Sequence, residues 1–179
     1  MNSPPSVSIS QVYGSDDDRA ASLRTFEDGL LWTSNSTANS GEYLPLNTAM
    51  VPNENPDEEQ VPDEILFVAG DTRVNEQIGL IAIHTLFVRE HNRIAALLKV
   101  RAHTYIHSRT HARNKRHRAP LSLVLALLCS AFQDANSSMS DEELYQGARK
   151  IVGAYIQTIT YNEWLPALMG QDALEPYAG

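Results

Sequence analysis

Cysteine is almost missing: Cys129 is the single one among 179 residues. That excludes an intrachain disulfide framework and a multi-cysteine metal centre, and leaves the redox compartment open. No apolar run is long. The longest, Leu121 to Phe132, has 12 residues, against roughly 20 for a spanning helix, so no membrane span is expected. Positive charge is short overall, with 14 Lys and Arg against 22 Asp and Glu and a net charge of −8. A general nucleic-acid binder is therefore not expected. Neither a basic start nor an apolar stretch follows Met1, so no secretory signal is read in this chain. What is present, 42% hydrophobic residues, is enough for a globular core. Two glycosylation sequons, at Asn35 and Asn136, lean towards an extracellular setting.

The pattern along the chain is helical, with no hairpin signal. Val12-Tyr13-Gly14-Ser15 reads as a turn, and a short helix is expected over residues 19–26, before Asp28-Gly29. Residues 32–64, rich in Ser, Asn, Pro and Glu, read as a long solvated loop. A strong helix is expected over 71–98, with Asp71 and Thr72 as caps and a wide apolar arc of Ile78, Ile81, Ala82, Thr85, Leu86, Val88 and Ile94. So wide an arc suits a helix buried in a larger body. Ser140-Asp141-Glu142-Glu143 is a capping box opening a second strong helix to about Tyr161, lined by Leu144, Ala148, Ile151, Val152, Tyr155 and Ile159. Trp164-Leu165-Pro166 ends or kinks that helix.

Residues 100–133 differ from the rest. They hold six of the 14 basic residues, four of the six histidines (His103, His107, His111, His117) and no acid. We read these 34 residues as translated intron. Lys99-Val100-Arg101 can be encoded with GT at an intron start, Ala131-Phe132-Gln133 with a pyrimidine-rich end closing in AG, and the frame is kept. Joining Lys99 to Asp134 leaves two helices with the short polar connection usual between neighbours. The competing reading makes the segment a genuine basic arm on a non-catalytic helical interaction protein. A histidine metal site there is weaker still, since carboxylates are missing from the segment.

Three blocks resemble the animal-type heme peroxidases, the superfamily of myeloperoxidase and peroxidasin. They are SQVYGSD at 10–16, FVAGDTRVNEQIGLIAIHTLFVREHNRIA at 67–95 and LYQGARKIVGAYIQTITYNEWLPALMG at 144–170. The resemblance implies an all-α fold, here a part of the mainly helical peroxidase domain spanning 1–179 with long loops. It implies heme b as cofactor, with hydrogen peroxide and a halide or small organic reductant as reaction partners, in a secreted protein. It places Arg73, of the AGDTR motif, over the distal heme face. A fixed guanidinium suits the negative charge that develops when peroxide splits. Glu76 matches the glutamate esterified to a heme methyl in relatives, and on a helix it shares a face with Arg73. Gln77 replaces a methionine that makes a further heme link in myeloperoxidase. Ser10 matches the last ligand of the family's calcium loop, but Ser8 stands in place of its aspartate and Pro4 in place of its threonine, which argues against calcium.

His84 and His91 fall at structural positions of the family, so both are read as core histidines with satisfied hydrogen bonds. Arg89, Glu90 and Arg93 are read as packing ion pairs. The family's distal and proximal histidines lie outside the matched blocks. The chain by itself is therefore expected to be an incomplete and inactive part of a peroxidase.

Overall fold

In the computed structural model, the described residues are 8–35, 42–55, 61–108 and 139–170, with the backbone alone at 35 and 101–108. Their order is α1 (Ser10–Tyr13), α2 (Asp17–Ser22), β1 (Ser34–Asn35), β2 (Glu42–Tyr43), a 3-10 turn (Asp63–Ile65), α3 (Ile78–Ser108) and α4 (Asp141–Ile159). A π-helical turn (Thr160–Trp164) and α5 (Leu165–Met169) follow. The fold is mainly helical, as the sequence predicts. Its centre is the packing of α3 on α4, with α1 and β2 also set against α3.

The α4 start fits the sequence reading. Ser140 Oγ accepts the Glu143 N–H (3.3 Å), while Glu143 Oε2 accepts the Ser140 N–H (2.8 Å), a reciprocal capping box. Arg24 then ties this end to the N-terminal segment, through Nη2 to Asp141 (2.7 Å) and Nη1 to Glu142 (2.6 Å). The same guanidinium lies 3.9 Å from the Tyr145 ring centroid. Leu144, Ala148, Ile151 and Val152 are buried as expected, but Ile159 is 48% exposed. Pro166 does not end the helix, whose backbone stays helical through Trp164 and Leu165 to Met169. Proline has no N–H for the residue four back, the ladder widens into the π turn, and Gly170 (φ 98°) closes α5.

Several expected boundaries are corrected. The helix expected over 19–26 is α2, which runs Asp17–Ser22 and is capped by Asp16 Oδ1 accepting the Arg19 N–H (2.8 Å). It stops early because Arg24 is drawn towards α4, and the chain then turns through Phe26 and Asp28, both at positive φ, to Gly29. Val12 and Tyr13 belong to one helical turn, closed at Gly14. The 32–64 stretch is not uniformly solvated. It contains the β1–β2 pair, and Leu44 and Asn47 are 0% and 1% exposed. Asparagine side chains stand in for strand partners here. Asn92 accepts the Leu31 N–H (2.8 Å) and donates to the Leu31 carbonyl (3.0 Å), and Asn47 does the same for Val51 (2.8 and 3.0 Å).

Helix α3 also differs. It begins at Ile78, not at Asp71, and continues to Ser108, beyond the expected end near residue 98. The wide arc is only half covered: Thr85, Val88 and Ile94 are buried, whereas Ile78 and Leu86 are 85% and 57% exposed. Of the unusual 100–133 segment, the backbone to Ser108 continues α3; the remainder lies outside the described residues. No helix among the described residues is long and apolar enough to cross a membrane.

Two outcomes are expected. Ser140→Ala removes one half of the capping box and should lower unfolding free energy by about 1 kcal/mol in urea titration. Gly70→Ala should be far worse. A Cβ there would sit 2.1 Å from the Ser10 carbonyl oxygen and 2.6 Å from the Gly14 nitrogen, both backbone, so a loss of about 3 kcal/mol or more is expected from overpacking.

Candidate functional site

Residues 67–77 carry the AGDTR motif between the core and α3. Burial of Gly70 against α1 lets this backbone lie directly on the α1 turn. From the other side Arg19 reaches in. It is 5% exposed, and it donates through Nε to the Ala69 carbonyl (2.8 Å) and through Nη1 to the Pro52 carbonyl (2.6 Å). Its Nη2 donates to Asn53 Oδ1 (3.2 Å) and to the Asp71 carbonyl (3.4 Å). Asn75 closes the segment on itself: Oδ1 accepts the Phe67 N–H and Nδ2 donates to the Phe67 carbonyl, both at 2.9 Å. Thr72 donates to Glu54 Oε1 (3.0 Å), and the Glu54 N–H to the Thr72 carbonyl (3.0 Å).

These bonds make residues 71–77 a turn, which overturns the helical reading of this stretch. Asp71 and Thr72 cap nothing; their side chains serve the turn instead. Arg73 and Glu76 therefore do not share a helix face. They are joined through the backbone, the Glu76 N–H donating to the Arg73 carbonyl (3.0 Å). Both side chains are exposed, as is Gln77. The Arg73 guanidinium pairs with Asp71, Nε to Oδ1 at 3.0 Å and Nη2 to Oδ2 at 2.8 Å. This pairing holds the Asp71 carboxyl down at about 2, chiefly through the Arg73 side-chain hydrogen bond, and raises Arg73 in turn. The sequence reading does not pair Asp71 with Arg73. The signal that could have found the pair is Asp two residues before Arg in a turn, where a short carboxylate bonds its own backbone two residues on.

The two described histidines divide. His91 is 0% exposed. Its Nε2–H donates to the Gly29 carbonyl (2.8 Å), which leaves Nδ1 to accept the Tyr13 hydroxyl proton (2.9 Å). Tyr145 completes an edge-to-face cluster, 5.4 Å from His91 and 5.9 Å from Tyr13 between centroids. His84, 4% exposed, donates Nδ1–H to the Leu80 carbonyl (2.7 Å), but its buried Nε2 has no hydrogen-bond partner among the described residues. The satisfied-core reading thus holds fully for His91 and by half for His84. Of the packing ion pairs, Arg93–Glu90 forms at 2.7 Å, while Arg89 instead bonds the Glu42 carbonyl and stacks over Tyr43.

Ser10 opens α1, its hydroxyl accepting from Ser8 Oγ (3.0 Å); Pro4 lies outside the described residues. Among the described residues no group of three or more His, Cys, Asp or Glu could hold a metal ion. A groove of about 280 Å³ between α3 and α4, lined by Leu86, Phe87, Glu90, Tyr155, Thr158 and Ile159, contains neither Arg73 nor Glu76.

Residues 7–178 match the family described as animal haem peroxidase. The chain belongs to the animal heme peroxidase family. It is 35% identical over 174 residues to peroxidasin of Drosophila melanogaster, covering 94% of this chain and 9% of that protein. It is 33% identical over 179 residues to human thyroid peroxidase, covering 97% and 16%. Among solved structures, peroxidase A from Dictyostelium discoideum superposes with TM-score 0.68 at 26% identity, covering 96% of this chain and 26% of that one. The chain thus spans a small part of the peroxidases it matches, and the all-α assignment made from the sequence stands.

His91 also predicts a pH dependence. Burial, opposed by the Gly29 bond and reinforced by nearby Arg24, lowers its pKa from 6.5 to about 4. The folded state refuses a proton that the unfolded state accepts, so stability is full above 6.5 and is lost as pH falls towards 4. The loss should total about 3 kcal/mol, with the steepest fall above the carboxylate range, and urea midpoints between pH 8 and 4 would read it.

Proposed function

We propose that this chain is the Arg73 and Glu76 side of a heme-dependent peroxidase site, one that reduces hydrogen peroxide and oxidises a halide or organic donor. The single observation that carries the proposal is the AGDTR turn. Within a chain of this family, a guanidinium 59% exposed stands three residues before an exposed carboxyl. Both are held on a backbone pinned by Arg19 and Asn75.

The residues fit one face of a heme. Glu76 offers a free carboxyl for an ester link, Arg73 a fixed cation, and Ile78, 85% exposed, an apolar surface beside them. Heme, when bound, supplies the redox chemistry that divides peroxide. Arg73 stabilises negative charge on the departing oxygen, and it does so at any working pH because its own proton is retained. Glu76 anchors and orients. Acid–base transfer and iron ligation fall to histidines contributed from outside the matched blocks. His91 has both ring nitrogens engaged by Tyr13 and Gly29, and the Nε2 of His84 is buried. Calcium stays outside this reading, because Ser8 stands where the family ligand is a carboxylate. An extracellular setting belongs to the proposal on family grounds and on the sequon at Asn35.

Residues 1–179 form part of one peroxidase domain in this reading, with 100–133 set into it. cDNA read across Lys99 and Asp134 and outward past both ends gives the full protein in which the site is tested. There Arg73→Ala should slow the reaction with peroxide by about 10²-fold or more at unchanged heme content. Glu76→Gln should release heme into acidified organic solvent that the parent protein retains. Unchanged peroxide kinetics in the first variant would sink the proposal.

A further inference from the structure

Arg73 presents a problem of aim. An arginine side chain has several rotatable bonds, and an exposed one samples many directions, whereas charge stabilisation requires donors already pointing at the departing oxygen. Asp71 answers this. Its Oδ1 accepts both the Arg73 main-chain N–H (2.9 Å) and the Arg73 Nε–H (3.0 Å), while Oδ2 accepts from Nη2 (2.8 Å). One carboxylate is thereby bonded to both ends of the same residue. That differs from an ordinary surface ion pair, whose partners are tethered only at their tips.

We propose that Asp71 is a positioning residue that fixes the direction of the Arg73 guanidinium, a role that rests on the peroxidase reading above. The clamp occupies the Nε–Nη2 edge of the fork and leaves Nη1 and the second Nη2 proton for a small oxygen ligand. The carboxylate is itself anchored. Its side chain is only 25% exposed, its carbonyl accepts from buried Arg19, and Gly70 before it is wedged against α1. Glu54 and Glu76 act on Arg73 through space, but Asp71 alone among the described residues makes an ion pair with it. Asp71 touches neither peroxide nor cofactor in this scheme; it acts through Arg73.

The molecule contains its own control. Arg93, in the middle of α3, is clamped through the same edge by Glu90, Nε and Nη2 each at 2.7 Å. In the chain labelled with 15N-arginine and 13C-aspartate, a hydrogen-bond coupling from Arg73 Nε to the Asp71 carboxyl carbon is expected in the unaltered protein. Asp71→Asn should speed Arg73 Hε exchange by roughly tenfold or more and leave Arg93 unchanged. Absence of the coupling, or equal Arg73 exchange in both proteins, overturns the clamp; the coupling needs no variant, so it decides even where Asp71→Asn folds poorly. In the full heme-loaded protein, Asp71→Asn should slow the reaction with peroxide by about tenfold to 10²-fold at unchanged heme content, and Asp71→Glu should recover part of it. A slow Arg73→Ala beside a normal Asp71→Asn overturns positioning alone. Normal rates in both remove the peroxidase reading first, and positioning with it.

Discussion

The arrangement of this molecule depends on one buried cation. Arg19 cannot lose its charge, and burying it unsatisfied would be costly. Its bonds are made with the carbonyls of Pro52, Ala69 and Asp71 and the amide oxygen of Asn53, with no salt bridge to a carboxylate among the described residues. Satisfying one guanidinium therefore forces two distant loops to meet beside α2. The path of residues 69–71 is set by this demand together with the glycine-only approach to α1. Arg73 inherits its place from Arg19.

A second constraint governs the histidines. Tyr13, His91 and Gly29 form a linear relay of donors and acceptors through the core, in which the carbonyl of Gly29 fixes the imidazole tautomer and the tautomer fixes the direction of the Tyr13 hydroxyl. This links α1, the turn before β1 and α3 at one point. It also takes His91 out of reach of any ligand. A histidine so engaged is a structural strut, and burial keeps it neutral.

Helix α3 shows what packing has and has not done. Its arc of apolar residues is too wide for the partners present, so α4 and the loops cover Val88, Ile94 and Leu98 while Ile78, Ile83 and Leu86 stay exposed. The superposition on a peroxidase of which this chain covers 26% agrees with the breadth of the pattern. A sequence whose apolar face exceeds its own contacts carries information about a larger body.

What the sequence determined alone was whatever depends on local spacing. The capping box at Ser140, the inward face of α4, the interruption of the regular α-helix before Pro166 and the AGDTR block with its family could all be read from neighbouring residues, because caps and periodicities act within a turn or two. Tertiary structure decided the rest. Asp71 looked like a helix cap, yet Asn75 bonding back to Phe67 and Arg19 pulling on the carbonyls of Ala69 and Asp71 hold that stretch as a turn. Arg24 looked helical, yet Asp141 and Glu142, more than a hundred residues on, bend the chain away. The 32–64 stretch looked solvated because its polar side chains, Asn47 above all, are indistinguishable in sequence from those facing water. Hydrogen bonds between residues far apart carry no periodic signature, so only the folded chain could show that Arg73 stands in a turn gripped by Asp71.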